Sequence, residues 1–300
     1  MRKVACSICF LFSVFVYSSE PLVYVDFDLS VQTERYQDII FGGATFEKVG
    51  LPGDELLNFF KKLYERNNFI TLNPSNHPKI PKIIHQIWIG DNVPEKFKPF
   101  QRSWLENHPD WKYRLWTQDD IKQFGFKNID LIDASNNPGE ISDIMRYEIL
   151  YRYGGVYIDF DFECLQSLDE LNYLYDFYIG IQPLDCGFVQ LGIGLIGSVP
   201  GHPILEHAIQ KMKENWNLPE NIKNPPKRTG PIYFTRSFFA CAGQGDFVDV
   251  ALPVHYFYPL GCTEYDLQYD LWLHCGSFGV HHWASSWLKP QFRRKRFQDL

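Results

Sequence analysis

Two aspartates separated by one residue, Asp159 and Asp161, have the type and spacing that most directly indicate chemistry in this chain. They end a predicted β-strand over residues 156–161, VYIDFD. Residues i and i+2 of a strand point the same way, so both carboxylates can converge on one point. Two hard oxygen ligands with open positions suit a divalent cation that also holds a phosphate. The pair therefore predicts a metal and phosphate site at a strand end.

The element before this pair is the most convincing helix in the sequence. Residues 139–153 carry apolar side chains along one side, and a Gly-Gly turn leads into the strand. Asp143 and Arg146 lie three residues apart and share one helix face. One interpretation is an ordinary ion pair. In the other, the Asp143 carboxylate orients the hydroxyls of a sugar and Arg146 contacts oxygens of the nucleotide sugar that donates it. Tyr157 points to the same face of the strand as the two aspartates.

The wider pattern alternates strands with helices. Strands are predicted at residues 80–90, 111–117, 156–161, 178–182 and 191–198, helices at 99–107, 119–124, 139–153, 203–214 and 232–240, and a Pro-rich loop at 217–230. This alternation predicts an α/β fold with a mainly parallel sheet covered on both faces. Ligands of such sheets bind beyond the carboxyl ends of the strands, where the aspartate pair lies.

A second Asp-Phe-Asp triplet occurs at residues 26–28. It follows the N-terminal leader directly, with no helix or Gly-Gly turn before it, so we do not expect it to bind metal. A DxD spacing occurs by chance in many chains, and its context decides its meaning.

The N-terminus predicts a leader. Arg2 and Lys3 precede an apolar run to about Tyr17, which favours a signal peptide over residues 1–19. An uncleaved signal anchor is the alternative, although the run is short for a membrane span. The leader indicates an exported or lumenal location, such as secreted, periplasmic or Golgi. Residues 20–78 are interpreted as an extension, with a strand at 22–29 and a helix at 55–65, packed on a catalytic domain over residues 79–300.

Charge and cysteine content bound the partners. The net charge of −7 and the pI near 5.7 exclude a global basic field, so nucleic acid is not an expected partner. The basic residues at 293–296 form a solvated tail or associate with an acidic membrane surface. Five of the seven cysteines follow the leader, without CxxC spacing, so no zinc site is predicted, and one or two disulfides can form after export.

The string SDIxRYxILYxYGGVYxDxD over residues 142–161 resembles the DXD-containing glycosyltransferase family 32. That family includes yeast Golgi mannosyltransferases and animal α-1,4 sugar transferases, and it is distantly similar to clostridial glucosylating toxins. Further similarity lies in IPKIIHQIWIG (residues 80–90), TGP (229–231) and HHWASSW (281–287). The resemblance covers about residues 79–288. It implies a GT-A type, Rossmann-like mixed sheet with helices on both faces and a single nucleotide-sugar site.

The resemblance also implies a metal shell. Asp161 would ligate the metal directly. Asp159 would contact the ribose or sugar, or reach the metal through water. His281, in preference to His282, would complete the shell of a Mn²⁺ or Mg²⁺ ion.

The remaining site residues follow from the same resemblance. Asp143 and Arg146 would hold the donor sugar as catalytic residues. Trp88 would stack on the nucleobase or serve as a core tryptophan. The other expected donor-binding residues are Tyr157, on the face of the two aspartates, Thr229 and Gly230, which would shape the pocket, and Ser286 and Trp287, which would close over the diphosphate.

The expected function is a metal-dependent, retaining hexosyltransferase that uses a UDP- or GDP-sugar and a glycan, lipid or protein acceptor. The cation would stabilise the charge of the departing diphosphate. Two alternatives remain. One is a haloacid-dehalogenase-like phosphatase, although that class has Thr or Val where Glu163 stands. The other is a non-catalytic sugar-binding module of the same fold.

Overall fold

The computed structural model describes residues 22–42, 49–264, 268–286, 288, 291 and 293. The predicted leader, Trp287 and residues 294–296 of the basic tail lie outside this part of the chain. The helices are α1 (Phe27–Val31), α2 (Gln37–Phe41), α3 (Gly53–Arg66), α4 (Lys98–Asn107), α5 (Gln118–Phe124), α6 (Ile129–Ala134), α7 (Pro138–Tyr153), α8 (Asp169–Leu174), α9 (Pro203–Trp216), α10 (Pro225–Arg228), α11 (Pro231–Cys241), α12 (Val254–Phe257) and α13 (Tyr269–His274). Within the described ranges, no helix has the length and apolarity needed to cross a bilayer.

The strands are β1 (Ile83–Trp88), β2 (Lys112–Thr117), β3 (Gly155–Ile158), β4 (Phe162–Cys164), β5 (Phe177–Ile181), β6 (Leu191–Ser198), β7 (Asp249–Leu252) and β8 (Gly279–His281). Six form the central sheet in the order β2-β1-β3-β6-β5-β7, and β4 and β8 form a separate ribbon. Every residue of β3, β5, β6 and β7 is buried, so both faces of the sheet are covered. The predicted α/β class with a mixed sheet is confirmed.

The expectation of a mainly parallel sheet is confirmed, with β6 as the exception. Strand β1 is parallel to β2 and β3, and β5 is parallel to β7, but β6 runs antiparallel to both β3 and β5. The loop between β5 and β6 contains only a short 3-10 turn, Leu184–Cys186. A parallel pair needs a longer crossover connection, so this short loop requires an antiparallel pair.

Helix α7 and the Gly-Gly turn position the signature residues. The Asn137 side chain caps the helix by accepting a hydrogen bond from the Gly139 amide. Gly154 and Gly155 have φ angles of +61° and +94°. A Cβ on Gly155 would lie 2.6 Å from the Ile83 carbonyl oxygen, so the turn requires glycine both for its conformation and for its packing.

The strand predicted over residues 156–161 ends earlier, at Ile158. Asp159 and Asp161 lie in a turn, closed by a 3.2 Å hydrogen bond from the Phe162 amide to the Asp159 carbonyl, that leads from β3 to the ribbon strand β4. The chain leaves the sheet here because β4 pairs with β8 instead. The two carboxylates converge through this turn, and the strand-parity argument for their convergence is therefore wrong.

No strand forms at residues 22–29, where one was expected, and helix α1 begins at Phe27 within this segment. Asp26 caps α1 by accepting a 2.9 Å hydrogen bond from the Leu29 amide, which favours a helical turn. Residues of α1 and α3 share the main hydrophobic core with the sheet. The predicted loop at 217–230 also contains a 3-10 turn, Pro219–Asn221, and helix α10. The division into an extension and a catalytic domain stays a prediction.

Candidate active site

Asp159, Asp161 and His281 form a cluster of potential metal ligands. One ligand atom from each lies within 4.8 Å of the other two. His281 Nε2 is 3.2 Å from Asp161 Oδ1 and 4.0 Å from Asp159 Oδ2. A Cβ on Gly194 of β6 would lie 3.0 Å from Asp159 Oδ2, so a glycine here keeps the space beside the cluster open.

The β4–β8 ribbon delivers His281 to the aspartates. Phe162, directly after Asp161, pairs with His281 in the antiparallel register. The His282 amide donates to the Asp161 carbonyl at 2.8 Å, and the Ala284 amide donates to Asp161 Oδ2 at 2.6 Å. The segment from His281 to Ala284 is thus attached to the aspartate turn by strand pairing and hydrogen bonds.

The electrostatics of Asp161 favour its charged form. Burial by itself would raise the pKa of Asp161. The charge and hydrogen bond of His281, together with the Ala284 amide, outweigh burial and hold the pKa below its usual range. Asp161 is therefore an ionised carboxylate at neutral pH, the form that a cation requires.

The two neighbouring histidines have different surroundings. His282 is buried, its Nε2 lies 2.7 Å from Glu163 Oε2, and its ring stacks on Phe100. Glu163 also accepts a 3.0 Å hydrogen bond from Tyr269, and it does not line the main cavity. The structure therefore brings His281 to the cluster and gives His282 a partner elsewhere. Glu163 is thus held by His282 and Tyr269, outside the lining of the main cavity.

Arg146 connects the aspartate turn with helix α7. Its guanidinium lies 3.0 Å from Asp143 Oδ1 and 3.3 Å from Asp159 Oδ1, and it donates to the Ile193 carbonyl at 2.7 Å. It also lies 4.2 Å from the centre of the Tyr157 ring, whose hydroxyl donates to Asp159 Oδ1 at 2.6 Å. Burial opposes the charge, but the neighbouring acidic groups outweigh it and raise the pKa of Arg146.

Asp143 is the most buried carboxylate of this network. It accepts a 2.8 Å hydrogen bond from the Thr229 hydroxyl and pairs with Arg146. Burial raises the pKa of Asp143 to about 7, although Arg146 and Thr229 both oppose the shift. Asp143 therefore titrates near neutral pH.

The Thr229 segment is held in place by groups that sequence reasoning missed. Arg228 makes a two-point ion pair with the buried carboxylate of Glu140, donating from Nε at 2.7 Å and from Nη2. Its guanidinium also lies 3.7 Å from the Trp216 ring centre. The Tyr147 hydroxyl donates to the Thr229 carbonyl at 2.8 Å. No spacing rule links Glu140 to Arg228, because they meet only when α10 packs on α7.

These groups surround a cavity of about 410 Å³. Of the predicted site residues, those that line it are Trp88, Asp143, Arg146, Tyr157, Asp159, Asp161, Gly230, His281 and Ser286. Thr229 is fully buried and contacts the site through Asp143. Trp287 lies outside the described residues. The cavity thus brings the sequence-predicted residues together, while their individual roles stay predictions.

Trp88 is part of an aromatic cluster and also borders the cavity. It packs against Phe97 and Phe160 at ring-centre distances of 5.6 and 5.4 Å, and it also lines the cavity. The cavity wall further contains Gln182 and Gln190, whose side chains are hydrogen-bonded to each other, and Trp283. The sequence carries no motif that indicates these two amides.

Known proteins with similar sequences indicate the class of protein. Residues 94–178 match the family model for the glycosyltransferase sugar-binding region containing a DXD motif. An inositol phosphoceramide mannosyltransferase of Schizosaccharomyces pombe is 39% identical over 145 residues, which cover 47% of this chain and 41% of the relative. The mannosyl phosphorylinositol ceramide synthase SUR1 of Saccharomyces cerevisiae is 35% identical over 174 residues, covering 55% and 44%. The matched region thus spans less than half of the length of these two relatives.

Solved structures show weaker similarity. The PaToxG glycosyltransferase gives a TM-score of 0.45 at 19% identity, with 66% of this chain and 79% of that chain covered. The catalytic domain of α-toxin from Clostridium novyi gives 0.38 at 12% identity, with 73% of each chain covered.

Residues 94–178 therefore match the DXD-containing sugar-binding region of glycosyltransferases. The resemblance predicted from residues 142–161 is confirmed, and the named relatives support an enzyme of the glycosyltransferase class.

Proposed function

We propose that this protein is a metal-dependent, retaining glycosyltransferase that transfers a hexose from a nucleoside-diphosphate sugar. The observation that carries the proposal is the convergence of Asp159, Asp161 and His281 on one wall of a cavity that also presents Asp143 and Arg146. A cavity of this size suits a small organic ligand, and its charged groups have the chemistry to hold a metal-bound diphosphate and sugar hydroxyls.

The donor set favours Mn²⁺ over Mg²⁺. Two carboxylates and one imidazole fit a divalent cation that accepts both oxygen and nitrogen ligands, whereas Mg²⁺ strongly prefers oxygen. Asp159, Asp161 and His281 would hold the ion. When bound, it would neutralise charge on the departing diphosphate.

Protein groups would orient the sugar. Arg146 is fixed by two carboxylates and a backbone carbonyl, so a donor oxygen would meet a charge that is already positioned. Asp143, in its ionised form, would accept hydrogen bonds from sugar hydroxyls. Trp88, which lines the same cavity, would stack on the base. With Glu163 engaged by His282, we favour front-face substitution, in which the departing phosphate accepts the acceptor's proton.

The relatives' names suggest the transferred sugar and the acceptor. Both act, by name, in mannosyl transfer to a phosphoinositol-bearing ceramide. We propose mannose as the sugar to test first and a lipid with a polyol headgroup as the acceptor to test first, ahead of a free glycan or a protein. The predicted leader would place the enzyme in an exported or lumenal compartment. The basic residues at 293–296 would face an acidic lipid surface.

The direct test is hydrolysis of UDP- and GDP-sugars by protein that lacks residues 1–19, with Mn²⁺ or with EDTA. We expect metal-dependent release of nucleoside diphosphate from one donor. Release of phosphate from phosphate esters instead would support the phosphatase alternative. Metal-independent sugar binding without turnover would support the binding module.

A further inference from the structure

Two cysteines far apart in the sequence meet beside the cavity. Cys186 ends the 3-10 turn Leu184–Cys186, and Cys262 lies in the segment that follows helix α12. Their sulfur atoms and a carboxylate oxygen of Asp185 all lie within 4.8 Å of one another. Neither sulfur is in a disulfide bond in this structure.

Hydrogen bonds to the Asp185 side chain hold the two loops together without a covalent link. The Asp185 carboxylate accepts hydrogen bonds from the Cys262 amide at 3.1 Å, the Thr263 amide at 2.8 Å and the Thr263 hydroxyl at 2.7 Å. A Cβ on Gly261 would lie 2.5 Å from Asp185 Oδ2, so glycine permits this close approach. The sulfurs are therefore kept close by several non-covalent contacts between their loops.

One member of the pair lies in the wall of the proposed active site. Cys186 and Phe188 line the main cavity, whereas Asp185 and Gly261 line a second cavity of about 200 Å³. Tyr258 lines both cavities. A bond between the two loops would restrain the wall that separates them.

We propose that Cys186 and Cys262 form a disulfide bond under oxidising conditions. One thiolate attacks a small-molecule disulfide, such as glutathione disulfide, and releases one glutathione. The second thiolate then attacks the mixed disulfide and releases the second glutathione. Two protein thiols are oxidised to one S–S bond, and one glutathione disulfide is reduced to two glutathione molecules.

A metal site is the competing use of this cluster. Zinc would need the Asp185 carboxylate together with both thiolates. That carboxylate already accepts three hydrogen bonds from the opposite loop, so both of its oxygens are engaged. Covalent bonding of the two sulfurs requires no ligand from Asp185 and preserves those hydrogen bonds.

The neighbouring Cys275 supplies a matched control. It lines the second cavity. Its burial is intermediate, as is that of Cys186 and Cys262, but it does not belong to the cluster. A Cys275→Ser variant therefore tests whether any thiol in this region produces the same behaviour.

The test is disulfide mapping of the full chain after equilibration with glutathione disulfide, alkylation of remaining thiols and proteolysis. We expect a linked peptide that joins Cys186 to Cys262. Reduction should lower the melting temperature by about 5 °C, because the bond closes a long loop in the unfolded chain. Cys186→Ser and Cys262→Ser should abolish this difference, and Cys275→Ser should retain it.

Several results would overturn the proposal. Full alkylation of Cys186 and Cys262, or linkage of either to another cysteine, excludes the bond in wild-type protein without any variant. Stoichiometric Zn²⁺ binding that blocks oxidation of both thiols would assign the cluster to a metal instead. The mapping needs no donor and no activity, so its outcome is independent of the proposed transferase function.

Discussion

The same tripeptide, Asp-Phe-Asp, occurs twice in this chain and has two different structural roles. At residues 26–28 the first aspartate caps helix α1, and Asp28 forms a half-exposed ion pair with Lys61 at 2.6 Å. At residues 159–161 both carboxylates face a cavity beside His281. The middle phenylalanine is buried in both triplets. The comparison shows that the surroundings, and not the tripeptide sequence, distinguish the two triplets.

The supporting residues account for the difference. Asp159 meets Arg146 and the Tyr157 hydroxyl, and Asp161 meets His281 and the Ala284 amide. The first triplet has two partners, the Leu29 amide for Asp26 and the side chain of Lys61 on α3 for Asp28. A local cap stabilises a helix, whereas convergence of groups from α7, β3 and β8 produces a cavity with fixed charge.

The largest expected effect is at Asp161. Asp161→Asn keeps an oxygen that can accept from the Ala284 amide but removes the negative charge that a cation needs. We expect a loss of transfer or donor hydrolysis on the order of 10³-fold with the fold retained, measured by kinetics and circular dichroism. Asp28→Asn is the matched control in the other triplet and should leave turnover unchanged. Similar activity in the two variants would remove the distinction between the triplets.

Arg146→Lys should have the next largest effect. Lysine cannot contact Asp143, Asp159 and the Ile193 carbonyl together, because it lacks the planar fork of arginine. We expect kcat/KM to fall about 100-fold, roughly 2.7 kcal/mol. Arg152→Lys is the control on the same helix, where the guanidinium contacts Phe124 and Gly125 instead. Equal effects at both positions would indicate a general loss of helix stability.

Trp88→Ala tests the aromatic partner of the second triplet. Trp88 packs on Phe160, the middle residue of that triplet, and borders the cavity. If it stacks on the nucleobase, nucleotide affinity should fall about 10-fold, with a smaller loss of kcat. Calorimetric titration with the nucleoside diphosphate measures this effect. Unchanged affinity for the nucleoside diphosphate in a destabilised variant would indicate that Trp88 serves only to pack the core.

Burial of Asp143, near the second triplet, should be visible in the pH dependence of the protein's stability. Its pKa is raised from 3.8 to about 7 by burial, so the folded protein retains a proton that the unfolded chain releases. The unfolded state thus binds fewer protons in this window, and the free energy of unfolding falls as pH rises. Between pH 5 and 8, wild type should lose about 2–3 kcal/mol more than Asp143→Asn in denaturant titrations. Identical pH slopes would contradict the raised pKa.

The smallest effect is expected at the first triplet. Asp26→Ala removes the side-chain cap of α1 and should cost about 1 kcal/mol of unfolding free energy, with no change in kcat/KM. Denaturant titration and kinetics on the same preparation check both parts. A tenfold loss of turnover would give the first triplet a functional role.

The sequence predicted the groups of the site better than their geometry. Helix α7, the Gly-Gly turn and β6 follow from periodicity and composition, and residues 142–161 carry a specific family pattern. The end of β3 was placed too late, because the pairing of β4 with β8 involves residues far apart in the chain. The Glu140–Arg228 pair and the meeting of Cys186 with Cys262 depend in the same way on tertiary packing, which no local pattern encodes.

Manganese binding in the presence of a nucleoside diphosphate tests the central claim most directly. Electron paramagnetic resonance titrations with GDP and with UDP should compare wild type, Asp161→Asn and Asp28→Asn. Tight binding of one Mn²⁺ per chain by wild type and Asp28→Asn, and its loss in Asp161→Asn, is the predicted result. Equal binding by wild type and Asp161→Asn would contradict the assignment of the cavity triplet as the metal site.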